Sequence, residues 1–105
     1  MVARGEVFWI ELDKRRPCVV VSSEDVLSVD IWQTHVVPLT SQVHRAGIAG
    51  NVLLSTKATG LSKDSVAVPI GLELIDRALL GEKAGRLPAV VLEGVDEGIC
   101  AVLGL

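Results

Sequence analysis

The sequence predicts an α+β or small-barrel fold, and three observations carry that expectation. Short segments rich in β-branched residues recur from Gly5 to Leu87, punctuated by Gly, Pro and polar residues. After Pro88 the hydrophobic period changes from alternation to helical spacing. Half of the 105 residues are hydrophobic but only 3% are aromatic, so one aliphatic core is expected. There is no repeat, linker or low-complexity stretch, and residues 1–105 read as a single domain.

Taken in order, Gly5–Leu12 holds Val7, Phe8, Trp9, Ile10 and Leu12 and reads as a strand. Alternation puts Phe8, Ile10 and Leu12 on its cleaner core face. Asp13-Lys14-Arg15-Arg16 interrupts the apolar pattern, and Pro17-Cys18-Val19-Val20-Val21 resumes it. So apolar a run suits a central strand covered on both faces. The two segments form a hairpin with a short, charged tip.

Ser22–Asp30 has room for a helical turn. Thr34–Leu39 reads as a strand, and Thr40–Asn51 as a long polar loop of the kind that often carries function. Val52–Leu54 is a short strand, and Thr56–Asp64 a loop marked by Gly60. Ser65–Ile70 and Leu72–Ile75 are β-like, broken at Pro69 and Gly71; Pro69 marks an edge or bulge. Lys83–Leu87 adds another short strand. Beyond Pro88, Leu92, Val95, Ile99, Val102 and Leu103 share one helical face, with Glu93, Asp96 and Glu97 opposite. Gly94 and Gly98 would let a neighbouring backbone approach that helix.

Composition limits the function. Ten basic residues stand against 13 acidic ones, for a net charge of −3. Any nucleic-acid binding must therefore rest on a local basic patch. No apolar run reaches the roughly 18 residues a membrane helix needs. Met1–Gly5 lacks the apolar core of a signal peptide, so a cytoplasmic location without membrane attachment is expected. Cys18 and Cys100 lie far apart inside apolar runs, which suits reduced, buried thiols rather than a metal site. His35 and His44 have no metal-ligand spacing to other donors, and no cofactor motif is present.

The most suggestive residues are Lys14, Arg15 and Arg16. Adjacent cations at a hairpin tip repel one another unless solvated or met by anions. Arg16 is the best positioned, since Pro17 restricts its backbone. Thr40, Ser41 and Gln42 follow a strand end with two hydroxyls and an amide. His44 and Arg45 could extend the Arg16 patch if the two segments meet. Trp9 and Trp32 are expected to be packed rather than open for base stacking.

Read together, these segments resemble the MazF/PemK family of bacterial toxins. Arg4-Gly5-Glu6-Val7, Arg16-Pro17-Cys18-Val19-Val20-Val21-Ser22 and Val37-Pro38-Leu39-Thr40-Ser41 carry the resemblance. Gly50-Asn51-Val52-Leu53-Leu54, Gly60–Ala67 and Gly85-Arg86-Leu87-Pro88 follow in the family's order. The resemblance implies a small twisted antiparallel sheet of SH3-like barrel type with a C-terminal helix, and a homodimer. It also implies metal-independent cleavage of single-stranded RNA through attack by the substrate's 2′-hydroxyl, held in check by an antitoxin with an acidic, extended C-terminal segment. The family's conserved Arg and Thr fall on Arg16 and Thr40, which become the catalytic pair. Lys14, Arg15, Ser41, Gln42, His44 and Arg45 become the RNA-binding residues.

Two departures stand out. The first hairpin loop is cut to about Asp13–Arg15. Val68–Glu73 also replaces a segment that is usually polar and cationic, leaving Glu73 where a cation is common. A second reading is a CcdB-like toxin without nuclease activity, which would bind DNA gyrase or another protein through Glu93, Asp96 and Glu97.

Overall fold

The computed structural model describes residues 2–11 and 14–105. Along the chain run β1 (Glu6–Glu11), β2 (Arg15–Val20), α1 (Glu24–Leu27), β3 (Gln33–Thr40), β4 (Val52–Leu54), α2 (Thr56–Thr59), β5 (Ser65–Ala67), β6 (Glu73–Asp76), β7 (Leu80–Arg86) and α3 (Ala89–Leu103). Short 3₁₀ turns occupy Val43–Gly47, Pro69–Gly71 and Arg77–Leu79. The strands form one antiparallel sheet in the order β4-β5-β3-β2-β1-β7, and β6 also pairs with β3.

The expected hairpin is β1–β2, with Val7 opposite Val19 and Trp9 opposite Pro17. The predicted central strand is β2, which pairs with β1 on one side and β3 on the other. Its two faces serve two separate apolar clusters. Val7, Val19, Val37, Leu39, Leu54 and Leu87 pack with Val95 of α3. Phe8, Ile10, Cys18, Val20 and Val36 pack with Leu27 of α1 and with Ile75. The sequence reading gave β1 one core face; it has two. Val7 is fully buried because α3 lies across the side of the sheet opposite Phe8 and Ile10. Leu12, assigned to the core, falls outside the described residues.

The loop predicted at Thr56–Asp64 contains α2. Ser55 caps it, accepting from the Ala58 N–H, and Gly60 ends it in the left-handed conformation at φ 80°. A Cβ on Gly60 would collide with the carbonyl of Ala84, and one on Gly85 would meet that of Thr59. These glycines let the end of α2 lie directly on β7. Because α2 follows β4, this contact draws the two ends of the sheet order together and curls the sheet into a half-barrel.

Pro88 stands at the cap position immediately before α3. Leu92, Val95 and Ile99 face the sheet as their spacing predicts. Val102 and Leu103 do not: both are exposed, because the last turn of α3 projects past the covered core. Gly98 is buried, and a Cβ there would collide with the Gly50 carbonyl oxygen and lie 2.8 Å from Cγ of Pro69. At Gly94 the nearest atom to a Cβ would be Cγ1 of Val52, at 3.8 Å. The close backbone approach thus occurs at the second glycine alone.

Two ion pairs tie the termini of these elements together. Arg4 bridges the Val21 carbonyl and Asp96 of α3. Glu6 is buried, pairs with Lys83 across β1–β7, and accepts the Ala3 N–H at 2.6 Å. Burial alone would raise the Glu6 pKa. The hydrogen bonds from Lys83 and Ala3, with the charges of Lys83 and Arg86, outweigh it and hold the carboxyl below its ordinary value.

Two predictions follow from this packing. Gly98→Ala should lower the thermal midpoint, since overpacking by about 1–3 kcal/mol exceeds the roughly 1 kcal/mol gained in helix propensity. Gly94→Ala, whose methyl would meet Val52 only at ordinary van der Waals distance, should raise it. Glu6 has a depressed folded pKa, so its stabilisation is present above the ordinary value of 4.5 and is lost as pH falls through the folded value. Urea unfolding between neutral and acid pH should therefore show a shallower loss of stability in Glu6→Gln than in the unmodified chain.

Candidate functional site

The site begins with strand register. Cys18 lies opposite Pro38, Val19 opposite Val37 and Val20 opposite Val36. Continuing that register outward brings Arg16 opposite Thr40. Strand alternation puts both on the face that holds Ile10, Cys18, Val20, Val36 and Pro38. Burial falls off along this face. Val20, Val36 and Cys18 are fully buried, Pro38 and Thr40 half-buried, and Arg16 exposed. The guanidinium and the hydroxyl therefore stand where a packed face opens to solvent.

The Thr40 hydroxyl accepts the Gln42 N–H at 3.2 Å. That bond starts the turn out of β3 and leaves the hydroxyl proton available to an external acceptor. Ser41 and Gln42 are exposed immediately beyond. His44 and Arg45 lie in the 3₁₀ turn Val43–Gly47, which packs on β4 and β5, and the Asn51 side chain donates to the Arg45 carbonyl at 3.1 Å. Since β5 pairs with β3 at Thr40, that turn sits at the same end of the sheet as Arg16. The two segments thus lie toward the same end of the sheet.

Arg15 goes elsewhere. On β2 it alternates away from Arg16, onto the face of Trp9. Its guanidinium carbon stacks 4.5 Å from the Trp9 ring centroid, and it pairs with Glu11 at 3.4 Å and Glu82 at 3.6 Å. This cation is neutralised on the opposite side of the sheet. Lys14 is exposed beside the hairpin tip. Among the described residues, Arg16 has no carboxylate within ion-pair distance.

Other expected roles sort themselves by burial. His35 is anchored through Ser22, whose Oγ lies 3.1 Å from Nδ1 and accepts the His35 N–H at 2.8 Å. That role is structural. Trp32, expected to pack, is 72% exposed: it precedes β3, and its carbonyl accepts the Arg77 N–H at 2.7 Å while its side chain is left to solvent. Asp96 is held by Arg4, which removes one of the three carboxylates from the free face of α3. What the sequence reading missed is an exposed apolar surface: Ile48, Leu53, Ile70, Val102 and Leu103. Leu53 is hard to detect because both its neighbours, Val52 and Leu54, are apolar, so alternation gives no signal.

Comparison with known proteins decides the family. Residues 3–103 match the family described as PemK-like, MazF-like toxin of type II toxin-antitoxin system. The chain belongs to the PemK/MazF family. It is 28% identical over 113 residues to Endoribonuclease MazF2 of Mycobacterium bovis and, to the same degree, to Endoribonuclease MazF6 of Mycobacterium tuberculosis. Each alignment covers 100% of this chain and 99% of the relative. Among solved structures, the Mycobacterium tuberculosis toxin MazF-mt6 superposes with a TM-score of 0.82 at 27% identity, covering 95% of this chain and 97% of that one. MazF in a MazE–MazF crystal from Deinococcus radiodurans gives 0.80 at 25%, covering 99% and 96%. The half-barrel with its C-terminal helix is thus the PemK/MazF fold, as the resemblance implied.

The two cysteines of this PemK/MazF chain differ. Cys18 is buried beneath the site, and its pKa is pushed up to about 12, first by burial and then by the charge of Glu73, against a lowering backbone hydrogen bond from Phe8. Cys100 is exposed on α3, contrary to the buried thiol expected from its apolar neighbours. A thiol reagent at neutral pH should label one cysteine per folded chain, at Cys100, with Cys18 reacting only after unfolding. Peptide mapping of the labelled protein checks this.

Proposed function

We propose that this protein is an endoribonuclease toxin that cuts single-stranded RNA at short sequences without a metal ion in the reacting step. The observation that supports the reading is the β2–β3 register, which, continued outward, sets Arg16 and Thr40 on one face where its packing ends. The substrate supplies the nucleophile. Its 2′-hydroxyl oxygen bonds to the adjacent phosphorus as the bond to the 5′-oxygen breaks. The 2′ proton leaves to solvent or base, and the departing 5′-oxygen takes up a proton. The products are a cyclic phosphate and a 5′-hydroxyl end.

Negative charge builds on the phosphoryl oxygens in this step. Arg16, as a planar fork of donors, suits two of those oxygens at once. The Thr40 hydroxyl, whose oxygen is already engaged by Gln42, donates its proton to the phosphate or holds the 2′-hydroxyl. One such donor is commonly worth about 3 kcal/mol, or 10²-fold and more in rate. Ser41, Gln42, His44 and Arg45 line the strand's path beyond Thr40, and Lys14 does so beside Arg16. Arg15 contributes to the hairpin, stacked on Trp9, and adds little to RNA affinity.

The working unit in this reading is a homodimer. The turn Val43–Gly47 packs on β4, β4 on α3, and α3 on the turn Pro69–Gly71; the exposed Ile48, Leu53, Ile70, Val102 and Leu103 on and beside these segments offer an apolar surface. Covering it with a second copy removes that surface from water and forms a groove with Arg16 and Thr40 along its wall. The partner that restrains the enzyme is an antitoxin with an acidic, extended C-terminal segment, whose carboxylates replace phosphates at Arg16. A MazE–MazF assembly among the similar structures supports that expectation. The compartment is the cytoplasm, where RNA is met; among the described residues no helix is long and apolar enough to cross a membrane.

The test is cleavage of a long unstructured RNA in excess EDTA, with the new ends mapped. Cuts at a recurring short sequence bearing 5′-hydroxyl ends are expected. Arg16→Ala and Thr40→Ala should each lower the rate by about 10²-fold, while Arg15→Ala should change it little. Absence of cleavage by folded protein, or equal activity in the Arg16 and Thr40 variants, would overturn the reading.

A further inference from the structure

The face that carries Arg16 and Thr40 also carries a carboxylate. β6 pairs with β3 so that Glu73 lies opposite Val36. Val36 shares its face with Cys18 and Pro38, so Glu73 belongs to that face too. The influence of the Glu73 charge on Cys18 agrees with this placement. Glu73 is exposed, and among the described residues no cation pairs with it.

Distance separates its role from the reacting step. Val36 and Thr40 are four residues apart on β3, about 13 Å along the strand. Between them lie Pro38 and the turn Pro69–Gly71, with Gly71 against the Pro38 ring; a Cβ on Gly71 would come within 2.7 Å of Cγ of Pro38. The face therefore has a cation at one end, a flat apolar floor, and a lone carboxylate at the other. A single strand lying along it is sorted by charge. Its phosphate is drawn to Arg16, and its backbone is repelled from Glu73, which leaves a base edge as the group able to approach that carboxylate.

An ionised carboxylate only accepts hydrogen bonds. Among the four bases, guanine alone presents two adjacent donors on its Watson–Crick edge, the N1–H and the N2 amino group. Adenine and cytosine each set a ring-nitrogen acceptor beside their amino group, and uracil flanks its N3–H with two carbonyls. Bases in single strands are commonly read on that edge, and a carboxylate suits a bidentate donor pair. Resting on the nuclease reading above, we infer that Glu73 is a specificity-determining residue that selects a guanine flanking the cleaved bond.

The experiment sequences the cleavage products of a randomised RNA pool from the unmodified chain and from Glu73→Gln. It then compares a cleaved oligonucleotide with its inosine counterpart, which lacks the N2 amino group. Glu73 is exposed, so Glu73→Gln should keep the unmodified unfolding midpoint. Expected are a fixed guanine near the cut, an approximately 10-fold or greater loss of that preference in Glu73→Gln, and an inosine penalty seen only with Glu73 present. Cleavage without guanine enrichment, or enrichment unchanged in the variant, would overturn the inference while leaving the nuclease intact. A uniform rise in affinity for all sequences would do the same, reducing Glu73 to phosphate repulsion. Neither cleavage nor retention of any RNA would overturn both readings.

Discussion

The β2–β3 register, with Cys18 against Pro38, is the constraint on which the site depends. Side chains alternate along a strand, so a slip of one residue between β2 and β3 would leave Arg16 and Thr40 on opposite faces of the sheet. Burial prevents that slip. Cys18, Val19, Val20, Val36 and Val37 are all fully buried, alternating between two apolar clusters. A one-residue shift of either strand would exchange that strand's contributions to the two clusters. The cost of misregister is therefore paid in the packed middle of β2 and β3, while the benefit appears at their exposed ends.

The two faces of the sheet have different fates for the same reason. One is covered by α3, seated closely because Gly98 lets the Gly50 backbone approach. The other is covered only in part, by Leu27 of α1, by Ile75 and by the residues around Leu79 and Leu80. Cover stops before Arg16 and Thr40. A short helix and an edge strand are too small to close the second face, and the uncovered remainder is where polar groups can be both rigid and wet. That combination suits a phosphate site, where donors must be fixed before the charge develops.

Much of this was legible from residues alone. Alternation and β-branching located β1, β2 and β3, and helical spacing located α3. Their order and motifs carried the family resemblance, and with it Arg16 and Thr40. The failures have physical causes. Phe8 and Ile10 are buried as alternation implies, but Val7 on the other face is buried too, because alternation cannot tell one covered face from two. Val102 and Leu103 fit the helical stripe, but the spacing does not record where the sheet beneath the helix ends. Cys100 sits among apolar residues on a helix face that nothing in the chain covers. Arg15 and Arg16 look alike in sequence; strand alternation sends one to Trp9 and Glu82 and the other to the opposite face, which Thr40 shares. Which of two adjacent cations reaches a site is a property of register, and register is a tertiary fact.

An acidic chain that handles a polyanion must confine its positive charge. With a net charge of −3, long-range attraction for RNA is weak, and non-specific binding along any strand is disfavoured. Arg15 is spent on Glu11 and Glu82, Arg4 on Asp96 and Lys83 on Glu6, so several of the chain's few cations are held in structural pairs. What remains near Thr40 is concentrated at one end of one face. On the proposed reading, a strand gains there when its phosphate reaches Arg16 and a base edge, rather than its backbone, meets Glu73. In that reading, weak general attraction and one strong local contact leave discrimination between sequences to the base that meets Glu73. That division of labour follows from the same alternation that set Arg16 and Glu73 on a common face.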